Sequence, residues 1–129
     1  MPPEDSSFVP DWIAIAEQDL RRTDNNLKLD DPADAGFHLQ QCVEKFLKAF
    51  LLRRGWHLER THDLEALLNQ ALKHDASLER FRAVCQVISG FYVAERYPQP
   101  AENAVTNDDV RNSLDEVLPL IDHLRRETT

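Results

Sequence analysis

Residues 37–54 read FHLQQCVEKFLKAFLLRR. Apolar side chains recur through this segment at spacings of three and four residues, the period of one face of an α-helix. They are Leu39, Val43, Phe46, Leu47, Phe50 and Leu51. Asp31 and Pro32 precede the segment as a helix cap and a first-turn proline, and Gly55 follows it as a stop signal. The sequence therefore predicts a long central helix over 32–54.

The rest of the chain has the same helical pattern. It contains only three glycines, and no strand-length stretch alternates polar with apolar residues. Further helices are predicted over about 10–28, 64–74, 77–97 and 106–125, with a polar loop at 99–105 and a kink at Pro119. Five helices with short connections predict an all-α, up-and-down, mostly antiparallel bundle.

Short polar residues mark where three of these helices begin. Either Thr61 or Asp63 can cap the third helix, and either Asp75 or Ser77 the fourth. Thr106 and a later Asp109 resemble a capping box for the fifth.

Length and charge limit the kind of protein this is. The chain has 129 residues, 42% of them hydrophobic, and a net charge of −8. It is long enough to bury about two-thirds of its unfolded surface, so one domain over 1–129 is expected, with its core at about 10–125. The acidic balance argues against a general nucleic-acid binder, because non-specific affinity for phosphates comes from Lys and Arg. RNA binding would need a concentrated basic patch or a groove shared between subunits.

The sequence shows no metal-binding or cofactor-binding motif. Cys42 and Cys85 fall in apolar helical patterns and are expected to be buried, reduced thiols. His57 and His62 are five residues apart, unlike the helical pair of a zinc protease, and glycine-rich phosphate loops are absent. Because these motifs are missing, no cofactor is expected. The start of the chain lacks the charged and apolar regions of a signal peptide, so a soluble cytoplasmic protein is expected.

The central helix also carries a polar row at spacings of three, four and three residues, flanked by Gln40 and Glu44. Its members are His38, Gln41, Lys45 and Lys48. One interpretation is a solvated face with an ion pair between Glu44 and Lys48. The other is a cationic, amide-bearing wall of a binding groove.

Two further segments carry candidate functional residues. Arg96 has five donors suited to phosphate, and Tyr97 an aromatic face, although an arginine here also suits the end of a helix. His62 is a candidate proton shuttle, although residues 61–63 also read as a helix start.

Four segments in order resemble the HEPN domain (higher eukaryotes and prokaryotes nucleotide-binding) over about residues 10–125. They are Trp12 with Ala16 and Asp19-Leu20, the stretch FHLQQCVEKFLKA at 37–49, Thr61-His62-Asp63-Leu64, and Arg96-Tyr97-Pro98. The resemblance implies a helical bundle that commonly homodimerises. It also implies that single-domain members are often encoded beside a minimal nucleotidyltransferase, with which they act as toxin and antitoxin or as binding subunit and enzyme.

Many HEPN proteins are metal-independent ribonucleases with an arginine followed by four to six residues and then a histidine. This chain departs from that motif: at the matching offsets beyond Arg96 stand Ala101, Glu102 and Asn103. Enzymatic activity is therefore left open, with Arg96, His38 and His62 as candidate catalytic residues.

The leading hypothesis is a homodimeric nucleotide- or RNA-binding HEPN protein that partners a minimal nucleotidyltransferase in a toxin–antitoxin-like pair. The residues expected to line one groove are Gln41, Lys45, Lys48, Arg96 and Tyr97. The alternatives are a metal-independent toxin endoribonuclease, and a purely structural interaction domain whose polar row lies in the dimer interface.

Exposed aromatic residues give weaker support for a dimer. A single small bundle has no evident need for Trp12, Trp56, Phe91 and Tyr92, and a two-fold contact would cover them.

Overall fold

A computed structural model describes residues 7–98 and 100–129 of the chain. Regular structure in these ranges is helical, which confirms the predicted all-α bundle. The helices are α1 (Val9–Lys28), α2 (Pro32–Arg53), α3 (Leu64–Leu72), α4 (Arg82–Arg96) and α5 (Asn107–Thr128), and 3-10 turns cover Ala76–Phe81 and Ala101–Asn103. Residues 1–6, and Gln99 in the predicted 99–105 loop, lie outside the described residues.

The helices begin where the cap chemistry predicts. The Asp31 side chain accepts a hydrogen bond from the backbone N–H of Asp34. Asp63, rather than Thr61, caps α3. Thr106 and Asp109 form the reciprocal capping box of α5. Because these contacts are local, the sequence predicts them, with Thr61 and Asp63 left as alternatives at α3.

The fourth helical segment differs from its prediction. It begins as a 3-10 turn over Ala76–Phe81, capped by Asp75, and becomes α-helical only at Arg82. In α5, Pro119 lies inside a helix that continues to Thr128, so this proline does not end the helix. The kink expected there stays a prediction.

The core is built around α2, which contacts the other four α-helices. Phe46 and Phe50 are its largest fully buried side chains. Its start lies very close to α4: a Cβ atom on Gly36 would lie 2.9 Å from Cβ of Phe91. Glycine at this position therefore sets how closely the two helices pack.

The expected surplus of exposed aromatic residues is wrong. Trp12 is only 3% exposed and Phe91 5%, because both pack into the contacts between helices. Trp56 and Tyr92 are half-buried. A dimer is not needed to cover these four side chains.

Both cysteines are buried and unpaired, as expected. Burial raises the pKa of the Cys85 thiol to about 12, which makes it unreactive at neutral pH. No helix in the two described ranges combines the length and apolar character needed to cross a bilayer.

Candidate functional site

Polar side chains form a connected network between α1 and α2. Asp19 of α1 is 3% exposed. One of its carboxylate oxygens lies 2.9 Å from Nδ1 of His38 and the other 3.3 Å from Nζ of Lys45. Lys45 also donates to Oε1 of Gln41 at 2.7 Å. This half of the predicted polar row therefore faces α1.

The network continues along α2. Gln41 Nε2 donates to Oε1 of Gln40, which in turn donates from Nε2 to Oε1 of Glu44 at 3.2 Å. The other Glu44 oxygen accepts from Nζ of Lys48 at 3.1 Å, and this ammonium lies 5.3 Å from the ring centre of Trp12. Lys48 is 4% exposed. The interpretation of the polar row as a solvated face is wrong for Lys48, although the predicted ion pair with Glu44 is present. His38, Gln41 and Lys45 are half-buried. The placement of the row in a dimer interface stays a prediction.

Charge balance explains how the core accepts this row. A buried charge is tolerated when it is paired and hydrogen-bonded. The carboxylates of Asp19 and Glu44 are matched by the ammonium groups of Lys45 and Lys48. The network is therefore electrically neutral when its two histidines are neutral.

His62 is the point at which this network reaches the surface. Its side chain is 49% exposed, whereas Glu44, whose Oε1 lies 2.9 Å from His62 Nδ1, is 2% exposed. Gln40 also donates to the backbone carbonyl of His62 at 3.0 Å. A carboxylate at Nδ1 favours the tautomer that carries its proton there. The Nε2 atom is then an acceptor, and no described residue is paired with it.

His62 stacks on an aromatic pair. The imidazole lies 5.3 Å from the ring centre of Tyr92, with 23° between the ring planes. Phe37 is stacked on the same tyrosine at 5.8 Å, also at 23°. The guanidinium carbon of Arg96 lies 5.0 Å from the Tyr92 ring centre. One tyrosine ring on α4 therefore brings the candidate histidine and the candidate arginine together.

Arg96 also lines a groove of about 490 Å³ between the end of α4 and the start of α2. Tyr97 and Glu95 are among the other lining residues. Partial desolvation, together with the carboxylates of Asp34 and Asp31, raises the pKa of Glu95. The groove thus combines a cation and an aromatic ring with a destabilised carboxylate.

Comparison with known proteins identifies the family. The model of the HEPN domain matches residues 9–126. The chain belongs to the HEPN domain family. Among solved structures it is similar to TT1696 from Thermus thermophilus, with 28% identity and a TM-score of 0.80, over 92% of this chain and 97% of that one. No curated protein matches the chain. Its family is one of nucleotide- and RNA-binding domains.

The residues predicted to line one groove are separated in this HEPN domain. Arg96 and Tyr97 lie in the groove at the end of α4. Lys45 instead lines a pocket of about 240 Å³ with Arg22 and Asp19. Lys48 is enclosed beside Glu44. Within one chain these residues do not share a groove. Their expected grouping in one groove of a homodimer, and a role in nucleotide binding, stay predictions.

The two candidate histidines occupy different surroundings. His38 has Asp19 at Nδ1 and Asp34 at 3.6 Å from Nε2, so a carboxylate faces each of its ring nitrogens. His62 faces one carboxylate and solvent. Of the two, His62 is the one placed beside the ring that Arg96 contacts. Among described residues, no cluster of three or more His, Cys, Asp and Glu could hold a metal ion.

Sequence reasoning missed three members of the site. Asp19 was noted only for the family resemblance, yet it lies on the buried stripe of α1 with Ala16 and Thr23. Phe37 and Tyr92 were not predicted to form a stack with His62. Asp19 could have been predicted, because a carboxylate at helical spacing from buried residues is itself buried and needs a partner. The aromatic stack could not have been, since its members come from three separate segments.

Proposed function

We propose that this HEPN domain is a nucleotide- or RNA-binding protein, with its binding site at the exposed end of α4. The observation that carries the proposal is the position of Arg96, in an open groove and 5.0 Å from the ring centre of Tyr92. Guanidinium groups bind phosphate oxygens in a bidentate manner, and aromatic side chains beside a cation are the usual platform for single-stranded nucleic acid. This pairing supplies locally the positive charge that the acidic chain lacks overall.

Binding of fluorescein-labelled single-stranded RNA, followed by anisotropy at low salt, tests the proposal. Arg96→Ala is expected to weaken binding about ten-fold, because charge-assisted contacts to phosphate are lost. Arg111→Ala is the matched control, since Arg111 is an exposed arginine on α5 outside this groove. Equal affinity of the two variants, with unchanged helicity, would contradict the assignment of Arg96.

A metal-independent endoribonuclease is the second candidate function, and the contact between His62 and Glu44 favours it. A histidine held at Nδ1 by a buried carboxylate and open at Nε2 is arranged as a general base or acid. It would take the place of the histidine that the family's ribonuclease motif supplies. Arg96, near the same tyrosine, would stabilise the charge on the phosphate.

End-labelled RNA incubated in EDTA decides between binding and cleavage. The ribonuclease hypothesis predicts that the wild-type protein cleaves the RNA and that neither His62→Asn nor Arg96→Ala does. Intact RNA with the wild-type protein, under conditions in which the RNA is bound, would leave binding as the function.

The proposed partners are a second copy of the chain and a minimal nucleotidyltransferase, in a toxin–antitoxin-like pair. Support for the homodimer comes from small and apolar side chains on α4 at spacings of four, three and four residues, which fit a self-complementary helix seam. They are the exposed Ala83, Val87 and Gly90 and the half-buried Ala94. Sedimentation analysis is expected to give a dimer that Val87→Glu dissociates; a wild-type monomer would contradict this part of the proposal.

The nucleotidyltransferase partner rests on family membership and has its own test. Co-expression of the chain with a minimal nucleotidyltransferase encoded beside it is expected to give one complex on size-exclusion chromatography. Elution of the two proteins in separate peaks would contradict the pairing.

A further inference from the structure

His62 has an outer face that the fold leaves open. Tyr92 is stacked at 5.3 Å and 23° and covers one side of the imidazole. The histidine side chain nevertheless keeps 49% of its surface exposed. The fold therefore presents a flat aromatic ring to solvent as the last member of the stack formed by Phe37, Tyr92 and His62.

The orientation of this ring is fixed from three directions. Glu44 holds Nδ1 at 2.9 Å, Tyr92 sets the plane of the ring, and Gln40 holds the backbone carbonyl at 3.0 Å. An exposed side chain usually loses rotamer freedom when a ligand binds. Here the network has already removed that freedom, so a flat ligand gains stacking energy at a small entropic cost.

We infer that His62 is a nucleobase-stacking residue: the base of a nucleotide packs on its outer face while the phosphate binds Arg96. Both residues contact the Tyr92 ring, which places a π-face and a cation beside the same side chain. Stacking needs only a π-face, so it tolerates different bases. The inference rests on the proposed function and adds to it the residue that binds the base of a nucleotide unit, either free or within single-stranded RNA.

Two substitutions at His62 separate its ring from its hydrogen bond. Phenylalanine keeps a flat ring and loses the contact with Glu44. Asparagine loses the ring but keeps an N–H that can donate to Glu44. If stacking provides the binding energy, His62→Phe retains the preference for a base and His62→Asn loses it. Circular dichroism and thermal melting of both variants establish that each is folded.

The experiment compares adenosine monophosphate with ribose 5-phosphate by isothermal titration calorimetry. One stacked base is expected to improve affinity by about five-fold or more. The wild-type protein and His62→Phe should show this preference, and His62→Asn should bind the two ligands alike. An oligoadenylate and its abasic counterpart, measured in parallel, distinguish free nucleotide from RNA as the ligand.

The outcomes separate this inference from the function on which it rests. Equal affinity of the wild-type protein for the two ligands, with both lost in Arg96→Ala, overturns the stacking role and leaves phosphate binding intact. A preference retained in His62→Asn and lost in His62→Phe also overturns it. Absence of binding to any nucleotide or RNA overturns the proposed function together with the subsite.

Discussion

Oε1 of Glu44 lies 2.9 Å from Nδ1 of His62, and of these two side chains only the histidine reaches solvent. The second Glu44 oxygen accepts from Lys48, which is almost fully buried. One carboxylate thus joins an interior ammonium to a surface imidazole. The position of the candidate functional histidine therefore depends on an ion pair within α2, whose ammonium lies against Trp12 of α1.

Replacing Glu44 by glutamine is expected to destabilise the fold. The substitution leaves the Lys48 ammonium buried without its counter-charge, and breaking one side of a buried pair costs about 3–5 kcal/mol. Urea unfolding at pH 7, followed by circular dichroism, measures the loss. The same reasoning predicts that charge reversal at Lys48 unfolds the protein. If Lys48 lay in a dimer interface, the same change would instead give folded monomers.

The double variant Glu44→Gln with Lys48→Met is the control for this prediction. Methionine has a similar length and no charge, so it fills the site beside Trp12 without requiring a partner. The double variant should be more stable than Glu44→Gln alone. A double variant as unstable as the single one would show that the cost does not arise from the unpaired ammonium.

The helices could be predicted from local sequence, whereas the candidate site depends on contacts between segments that are distant in the chain. Asp63 and Thr106 cap helices through residues at most three positions away, so the sequence alone predicts these starts. In α1, by contrast, the apolar Ile13 and Leu20 are only half-buried, whereas Asp19 occupies the buried stripe. An aspartate there is explained by Lys45 and His38, which are 26 and 19 positions away.

Two glycines test how closely α4 packs. In Gly36→Ala the new Cβ atom would lie 2.9 Å from Phe91, so we expect a loss of about 1–3 kcal/mol from overpacking. In Gly90→Ala the new methyl group meets nothing within 4 Å in a single chain, so we expect the monomer to gain about 0.5–1 kcal/mol from helix propensity. Thermal unfolding of both variants checks the opposite signs. A loss in both would mean that the outer face of α4 is not open.

Asp75 should stabilise the protein only while it is ionised. The hydrogen bonds from Ser77, with help from His123 Nε2 at 3.0 Å, hold its pKa below the usual value of 3.8. Because the folded-state pKa is lowered, the stabilisation is complete above pH 3.8 and is lost as pH falls through the folded-state value. Asp75→Asn should therefore be less stable than wild type at pH 7, by up to about 1 kcal/mol. The urea midpoints of Asp75→Asn and the wild-type protein should converge as the pH falls through the folded-state pKa of Asp75; a constant gap would contradict the assignment.

Removal of the charge on Glu95 should stabilise the folded protein. Desolvation and the carboxylates of Asp34 and Asp31 raise the Glu95 pKa above 4.5, so its ionised form is disfavoured in the folded protein. Glu95→Gln should therefore melt at a higher temperature than wild type at pH 7. That advantage should disappear as the pH falls below 4.5, where the wild-type carboxyl is protonated in both the folded and the unfolded state.

The same substitution should increase affinity for nucleotides, because Glu95 shares the groove with Arg96 and opposes the binding of phosphate. We expect RNA affinity to rise about two- to five-fold at low salt and the gain to shrink at high salt, as screening predicts. Asp115→Asn, on the exposed side of α5, changes the net charge equally and is the control. An equal gain in both variants would attribute the effect to net charge and would remove Glu95 from the binding site.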